Sequence, residues 1–329
     1  MKKQLVTLGA ALTLSAGAAN LFPAGNFDGG AAGWRSFDRN FKNFYKVENG
    51  VMNIVGNDSY TERIAAYYPL DIKLEAGKKY VVRADVKSNV ASPDNKRVEV
   101  VIRYVNSNGR TISYRGVNIV LGNPVFREFS NACVTPAGTE KVQLYVQSRG
   151  LTSGDNVTID NIAITPLKEL QAAPGNLVKN GDFEYALLEP WYTSRGRVKN
   201  QYCYVVNDGG NRVLTLTGDK KYTSVSLIQK IQRLDINKKY TVTAKVKVVN
   251  VKPDPKKRFQ IRVRSAGEKN KSLTYAERSV KPVNGDWQEI KFTFTPHPKS
   301  IANQVYLCTV GFETGDAVLF DDIVLTQAE

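Results

Sequence analysis

The chain has 329 residues and repeats itself once, and this repeat constrains the fold more than any other feature. Three segments return in the same order about 160 residues later. The matching pairs are Asn20–Asp28 with Asn176–Glu184, Leu74–Tyr80 with Leu234–Tyr240, and Asp155–Thr165 with Asp316–Thr326. A period of this length predicts two whole domains of one fold, because solenoid repeats are much shorter.

The segment between the two copies is polar and ends in the Pro174-Gly175 turn signal, which is typical of a linker. We therefore predict four parts of the chain. They are a signal peptide at 1–19, a first domain at 20–166 (the first copy), a linker at 167–175 and a second domain at 176–329 (the second copy).

The first residues have the order of a secretory signal, with Lys2 and Lys3, an apolar run from Leu5 to Leu14, and small residues up to Ala19. The apolar run is too short for a helix that spans a membrane. We expect an exported protein, secreted, periplasmic or on the cell surface, without a membrane span.

Alternation of apolar and polar residues predicts half-buried strands in both copies, for example at Tyr80–Lys87 and Tyr240–Lys247. Turn signals such as Asn108-Gly109 separate these runs, and no amphipathic helix of ten or more residues follows the signal segment. The predicted fold class is all-β, with two tandem β-sandwich domains.

Composition excludes several functions. The only histidine, His297, lies between two prolines, and three cysteines cannot supply a zinc ribbon in each copy. Cys203 and Cys308 lie in one copy and could pair, although three small buried side chains is the simpler interpretation. Export and the lack of a recognisable basic and aromatic single-strand motif disfavour nucleic acid as a partner.

The second copy resembles the carbohydrate-binding modules of families four and nine and their relatives in family twenty-two. The resemblance rests on Asn180–Glu184 with Trp191, on Trp287–Phe294, and on Leu319–Leu325. The first copy contains shorter forms of the same sequence motifs. The resemblance implies jelly-roll, galactose-binding-like sandwiches that bind sugar on a sheet face or at the loops.

The resemblance also implies a structural calcium ion, Ca²⁺, held by carboxylates near the first and last strands together with backbone carbonyls. The matching carboxylates are Glu184 and Asp321 in the second copy, and Asp28 and Asp160 in the first. The alternative is that these carboxylates cap turns or accept backbone hydrogen bonds.

Candidate sugar-binding residues come from the polar faces of the predicted strands and from two tyrosines at equivalent places. We expect core packing for all three tryptophans, Trp34, Trp191 and Trp287. The candidates in the first copy are Glu99, Arg103, Tyr114, Gln143, Tyr145 and Gln147, and those in the second are Gln260, Arg262, Arg264 and Tyr275. An ordinary solvated strand face is the alternative interpretation.

The two sites are not expected to be equivalent, because the second copy is interpreted as having Cys308 where the first has Tyr145. The net charge of +15 is also uneven, with 19 basic and 15 acidic residues in 20–175 against 25 and 16 in 176–329. With Arg262 and Arg264, this excess suggests an acidic ligand such as a uronate or sulfated polysaccharide.

The sequence therefore predicts a non-catalytic exported protein that binds a polysaccharide or oligosaccharide, and leaves its oligomeric state open. The duplicated sandwiches leave no residues for a separate catalytic domain, and no carboxylate pair of a glycosidase is recognisable. The alternatives are a structural or adhesive cell-envelope protein that binds protein partners, and a polysaccharide lyase or glycoside hydrolase.

Overall fold

The computed structural model describes residues 19–36, 41–59, 63–90, 96–167, 170, 172–185, 187–193, 201–208 and 210–328. The predicted signal peptide thus lies outside the described residues except for Ala19. Strands of the first copy are β1 (Arg35–Ser36), β2 (Tyr45–Glu48), β3 (Val51–Val55), β4 (Ile64–Leu70), β5 (Lys79–Asn89), β6 (Arg97–Val105), β7 (Thr111–Ile119), β8 (Arg127–Val134), β9 (Lys141–Arg149) and β10 (Asn156–Pro166).

The second copy has the same series of strands. They are β11 (Tyr192–Thr193), β12 (Cys203–Asp208), β13 (Asn211–Thr217), β14 (Val225–Ile231), β15 (Tyr240–Val249), β16 (Arg258–Ala266), β17 (Ser272–Val280), β18 (Gln288–Phe294), β19 (Ala302–Val310) and β20 (Ala317–Gln327). Within the described ranges, the helical structure is one turn of α-helix, α1 (Phe41–Phe44), and 3-10 turns at Pro23–Asn26 and Glu268–Asn270.

Four antiparallel sheets of five strands form the scaffold, two in each copy. In the first copy, sheet A has the order β1-β4-β9-β6-β7 and sheet B the order β2-β3-β10-β5-β8. Sheets C and D of the second copy repeat these orders with every strand number raised by ten. The predicted all-β class and the tandem sandwiches are confirmed, whereas the predicted domain boundaries stay a prediction.

Each copy buries its own core between its two sheets, as the alternating pattern predicts. In the first copy, Val82 and Ala84 from sheet B and Val100 and Leu144 from sheet A belong to one fully buried cluster. Val242, Ala244, Ile261 and Val305 occupy the matching places in the second copy. Since each buried aliphatic side chain contributes about 1.5–3 kcal/mol, these clusters hold the sheets together and leave the alternate residues on the outer faces.

The first and last sequence motifs of each copy are in contact, which explains why both recur. Any Cβ at Gly25 would lie 1.8 Å from the carbonyl oxygen of Ile162, and one at Gly181 would lie 2.2 Å from that of Ile323. Only glycine fits between these backbones. The last strand bulges at the same place, where Asn161 and Asp322 have positive φ angles of 50° and 48°.

The two copies also touch each other. Arg212 of the second copy lies 3.4 Å from the Glu128 carboxylate, Lys79 lies 3.3 Å from Glu189, and the Arg127 guanidinium lies 3.1 Å from the centre of the Tyr204 ring. Burial raises the pKa of Glu128 although Arg212 opposes the shift. The side chains that the first copy contributes to these contacts belong to sheet B, and Arg212 and Tyr204 of the second copy belong to sheet D.

The cysteines and two of the tryptophans belong to the interior. Cys133, Cys203 and Cys308 are buried free thiols, so the simpler interpretation of the cysteines is confirmed. Trp34 and Trp191 pack in the two cores, whereas Trp287 is only half-buried. Among the described residues, no helix is long and apolar enough to cross a membrane.

Candidate functional site

The outer surface of sheet A brings all six candidates of the first copy together, and we call this surface the first face. The pairing of strands arranges them in rows that run across β9, β6 and β7. The rows are Gln143, Arg103 and Tyr114; Tyr145, Val101 and Gly116; and Gln147, Glu99 and Asn118. On the other side of β9, Tyr67 of β4 lies opposite Tyr145.

Arg103 is the centre of a hydrogen-bond network on the first face. Its Nη1 donates to Gln143 Oε1 at 3.0 Å and to the Tyr145 hydroxyl at 3.3 Å, and its Nε donates to Thr111 at 2.8 Å. The Tyr145 hydroxyl also donates to Gln143 at 3.3 Å. Gln143 thereby fixes both the guanidinium and the phenol.

Three tyrosines line the first face beside this network. Tyr67 stacks on Tyr145 with ring centres 5.4 Å apart, and Tyr114 meets Tyr145 edge to face at 5.8 Å. Tyr145 is buried, whereas Tyr114 is 39% exposed and lies under the guanidinium of Arg63. Tyr114 therefore offers the most accessible aromatic surface of the three described rings.

The outer surface of sheet C forms the second face by the same register. Its rows are Gln304, Arg264 and Tyr275; Tyr306, Arg262 and Glu277; and Cys308, Gln260 and Ser279. All four candidates of the second copy lie on this face. Tyr192 joins it from β11, where its hydroxyl accepts a hydrogen bond from Gln304 Nε2 at 2.8 Å.

The network around Arg264 repeats that around Arg103. Arg264 Nη1 donates to Gln304 Oε1 at 2.6 Å, Arg264 Nε donates to Ser272 at 3.1 Å, and the Tyr306 hydroxyl donates to Gln304 at 3.0 Å. Tyr275 meets Tyr306 edge to face at 6.1 Å and is 43% exposed. Asn270 adds further acceptors, so the buried Arg264 is held more tightly than the half-buried Arg103.

One prediction about the second face is wrong. Cys308 corresponds to Gln147 and not to Tyr145, because the register places Tyr306 at the position of Tyr145. The sequence contained the signal, since aligning 141–149 with 302–310 matches Gln143 with Gln304 and Tyr145 with Tyr306. Sequence reasoning therefore missed Gln304 and Tyr306, and it missed Tyr67 and Tyr192 as well.

Burial raises the pKa of Tyr145 and of Tyr306, although the neighbouring arginines oppose the shift. Both phenols are therefore protonated at neutral pH and act as hydrogen-bond donors. Each face thus presents a guanidinium, an amide, a neutral phenol and an exposed ring within two adjacent rows.

Among the positions at which the two faces differ, two lie next to each other in the middle row, on the sixth and seventh strands of each copy. Val101, 6% exposed, and Gly116 form a low floor on the first face. On the second face, Arg262 and Glu277 occupy these positions and form an ion pair of 2.7 Å. Arg262 also donates to Gln260 and lies over the Tyr275 ring, 5.7 Å from its centre.

The second pair of candidate calcium ligands lies where the opening segment meets the last strand. Burial raises the pKa of Asp321 to about 6, and Asp322 and Glu184 add to the shift through their charges. Asp321 accepts hydrogen bonds from Asn211 at 2.7 Å and from the Asp322 amide at 2.8 Å. The Glu184 carboxylate accepts a hydrogen bond from the Arg212 amide at 3.3 Å. Carboxylate oxygens suit a hard cation, and backbone carbonyls would have to complete the set of ligands.

The matching carboxylates of the first copy are Asp28 and Asp160. Burial raises the pKa of Asp160, and the charges of Asp85 and Asp28 add to this shift. Asp28 is exposed and accepts a hydrogen bond from Asn26 at 2.6 Å. Among the described residues, no group of three or more acidic, histidine or cysteine side chains has the arrangement of a metal site.

Comparison with known proteins identifies the family. The model of the carbohydrate binding domain of the four and nine type matches residues 19–156 and 175–311, so the chain belongs to this family and contains two of its modules in tandem. No curated protein matches the chain.

Several solved structures are similar. The N-terminal tandem of two family-22 modules from Paenibacillus barcinonensis Xyn10C is 14% identical, with 95% of this chain and 98% of that chain covered and a TM-score of 0.38. The xylan-binding first module of that tandem is 17% identical over 45% of this chain and 92% of its own, with a TM-score of 0.35. TmCBM61, solved with β-1,4-galactotriose, is 18% identical over 46% and 99%, with a TM-score of 0.35.

Proposed function

We propose that the protein binds a polysaccharide or oligosaccharide on its first and second faces and does not act on it chemically. The observation that supports this proposal is the repetition of one arrangement in both copies. Arginine, glutamine, a tyrosine next to the arginine and an exposed tyrosine occupy matching positions, with matching hydrogen bonds among the first three. The neighbouring positions on the same faces have diverged, so the strand pattern alone does not account for the four that persist.

The chemistry of these four groups suits a sugar. The ring of Tyr114 or Tyr275 offers apolar surface on which a pyranose can stack. Guanidinium and amide groups donate to and accept from hydroxyls at fixed positions, because the networks around Arg103 and Arg264 hold them in place. A preorganised donor set lowers the ordering cost of binding.

The contacts favour recognition of hydroxyl groups over recognition of charge. Arg262 forms an ion pair with Glu277, and Arg264 donates to neutral acceptors on Gln304, Ser272 and Asn270. An acidic ligand would have to displace Glu277 from Arg262. We therefore propose a neutral glycan as the main ligand, with the acidic one as the alternative that the experiment below separates from it.

The test removes the exposed rings from the full chain. Binding to β-1,4-linked xylo-, galacto- and cello-oligosaccharides and to oligouronates would be measured by calorimetry for Tyr114→Ala, Tyr275→Ala and the double variant. Each single variant should lose one class of site, with about tenfold to hundredfold weaker binding there, and the double variant should lose both.

Lys291→Ala is the matched control, because Lys291 is exposed on sheet D, the sheet opposite the second face. Its binding should equal that of the unchanged protein. Wild-type binding of the double variant would contradict the proposal. A glycan array without any hit would instead favour the structural or adhesive alternative, and new unsaturated ends in uronates would reveal a lyase.

We also propose that Glu184 and Asp321 hold a structural Ca²⁺ in the second copy. Calcium should then raise the melting temperature of the second copy, and Asp321→Asn should abolish this increase. Asp208→Asn is a suitable control, since Asp208 forms an ion pair with Lys247 at 2.9 Å and is not a proposed ligand. A melting temperature that does not respond to calcium or chelator would refute the calcium site without affecting the sugar proposal.

A further inference from the structure

The middle row distinguishes the two faces in a way that bears on the length of glycan each can accept. A row crosses five antiparallel strands, and at about 4.8 Å between strands it spans about 19 Å. On the first face this row starts at Arg35 on the edge strand β1 and continues with Tyr67, Tyr145, Val101 and Gly116. Tyrosine rings and a low apolar floor follow one another, with polar rows on both sides.

The polar rows can address the edges of a glycan that lies along the middle row. The row of Gln143, Arg103 and Tyr114 lies on one side, and the row of Gln147, Glu99 and Asn118 lies on the other. Glu99 accepts a hydrogen bond from Gln147 at 2.8 Å, so the second row presents both donors and acceptors. Gly116 has no side chain and that of Val101 is short, so a glycan chain can continue across these two positions of the middle row.

On the second face this row shares only the central tyrosine with the first, since Tyr192 and Ile228 replace Arg35 and Tyr67 before it. Tyr192, Ile228 and Tyr306 are followed by Arg262 and Glu277. The two charged side chains are 28% and 36% exposed and bridge β16 and β17. Their ion pair, with the additional hydrogen bond to Gln260, fixes them at the two positions that Val101 and Gly116 occupy on the first face.

Removing this obstacle during binding is costly. A glycan that crosses β16 and β17 would have to desolvate or separate a paired guanidinium and carboxylate, and a neutral hydroxyl does not replace the lost charge. A glycan that ends at Tyr306 makes no such demand. Its last ring can instead use the fixed Arg262 as a hydrogen-bond donor.

We propose that the first face binds internal segments of a glycan chain, whereas the Arg262–Glu277 ion pair restricts the second face to a chain end or a short oligosaccharide. This inference rests on the proposed function, since it concerns the ligands of the same two faces. It assigns specificity to two residues that differ between the copies and not to the four that they share.

The experiment compares affinity with ligand length in the full chain. The Tyr275→Ala variant, in which the second face is weakened, is used to measure binding at the first face, and Tyr114→Ala is used in the same way for the second. The probes are β-1,4-linked oligosaccharides from disaccharide to hexasaccharide. Affinity at the first face should increase about tenfold or more between disaccharide and tetrasaccharide. Affinity at the second face should level off at the disaccharide or trisaccharide.

Two further variants test the assigned residues. Arg262→Val with Glu277→Ala, made in the Tyr114→Ala background, should extend the length dependence of the second face to that of the first. Val101→Arg, made in the Tyr275→Ala background, should shorten the length dependence of the first. Arg278→Ala is a matched control, because Arg278 is an exposed arginine next to Glu277 whose side chain does not share its side of β17.

Three outcomes are distinguishable. Length dependence that changes as stated supports the inference. Equal length dependence at both faces, or no change after removing Arg262 and Glu277, overturns the inference while leaving sugar binding intact. Failure of every probe to bind either face overturns both the inference and the proposed function.

Discussion

The two copies share one strand order and one hydrogen-bond network, but they differ in other side chains on their outer faces. Sheets A and C have the same strand order and register, and both carry the arginine, glutamine and tyrosine network. In the middle row, however, Val101 and Gly116 of the first copy correspond to Arg262 and Glu277 of the second. The comparison teaches that the repeated parts hold side chains in position, whereas the changed parts decide which ligand fits.

A buried ion pair belongs to the scaffold that both copies share, and breaking it should have the largest effect. Lys96 lies 2.6 Å from Asp155, and Lys257 lies 2.8 Å from Asp316, with all four side chains largely buried. Asp316→Asn should destabilise the second copy by about 3–5 kcal/mol, since the buried Lys257 would keep only its longer contact of 3.3 Å with the exposed Glu313. Asp155→Asn should have a similar effect on the first copy.

Urea unfolding followed by hydrogen exchange in peptides of each copy would measure both changes. Lys245→Gln is a control, because its ion pair with Asp322 is exposed and should contribute less than about 1 kcal/mol. If loss of the buried pair affected only one copy, the two scaffolds would not be energetically equivalent.

Substitutions at Gly116 and at the matching Glu277 test whether the backbone of the two copies accepts a side chain equally at this position. An added Cβ there would lie 2.1 Å from the carbonyl oxygen of Val100 and 2.5 Å from the Val101 Cα, and backbone cannot move away cheaply. Gly116→Ala should therefore cost the first copy about 2–3 kcal/mol. Glu277→Ala at the matching position should cost less than about 1 kcal/mol, because Glu277 is exposed.

Thermal unfolding of the two variants side by side is the measurement. Equal stability of both would show that the strand around Gly116 accepts a side chain as readily as that around Glu277. The first face would then owe its low floor to sequence drift and not to a backbone constraint.

The two buried ion pairs should also make the stability of the two copies depend on pH in different ways, with a smaller effect than the substitutions above. For Asp155, burial favours the neutral acid, but hydrogen bonds from Lys96 and Thr152 outweigh it and lower the pKa below 3.8. The stability that this group supplies is present above pH 4 and is lost as the pH falls through the lowered pKa. The first copy should therefore lose this contribution in acid.

For Lys257, burial opposes the charge, but the hydrogen bonds that its ammonium donates to Asp316 and Glu313 outweigh it and raise the pKa above 10.5. This contribution is complete below pH 10.5 and disappears as the pH rises through the raised pKa. Hydrogen exchange at acid and alkaline pH would measure both trends. Lys257→Met should remove the alkaline trend from the second copy and leave the acid trend of the first unchanged.

Alternation and repetition in the sequence were sufficient to predict the sandwich class and the composition of each face. The side chains Glu99, Arg103, Gln143 and Tyr145 share a face because they alternate with core residues, and strand geometry makes this rule reliable. Which strands are neighbours is a long-range property. Tyr67 therefore joined the first face only once the pairing of β4 with β9 was known.

The charge pattern was less informative than the strand pattern. Arg262 and Arg264 suggested an acidic ligand, but the sequence gives no sign that Glu277 would lie directly opposite Arg262. The wrong position predicted for Cys308 had a similar cause. Matching residues of β9 and β19 are identified by the strand register, and a shift of a few residues between the two copies hides this match in the sequence.

The contact between the opening and closing segments of each copy has a kinetic consequence. Leu21 donates to the Ile164 carbonyl at 2.7 Å, and Leu177 donates to that of Leu325 at 2.8 Å, so each sandwich is closed by residues almost a full copy apart in the chain. Pairings this remote make folding slow, on a scale of milliseconds to seconds. A copy that emerges gradually, from a ribosome or through a membrane pore, cannot close until its final strand is free. The candidate face of that copy therefore acquires its final geometry late in folding.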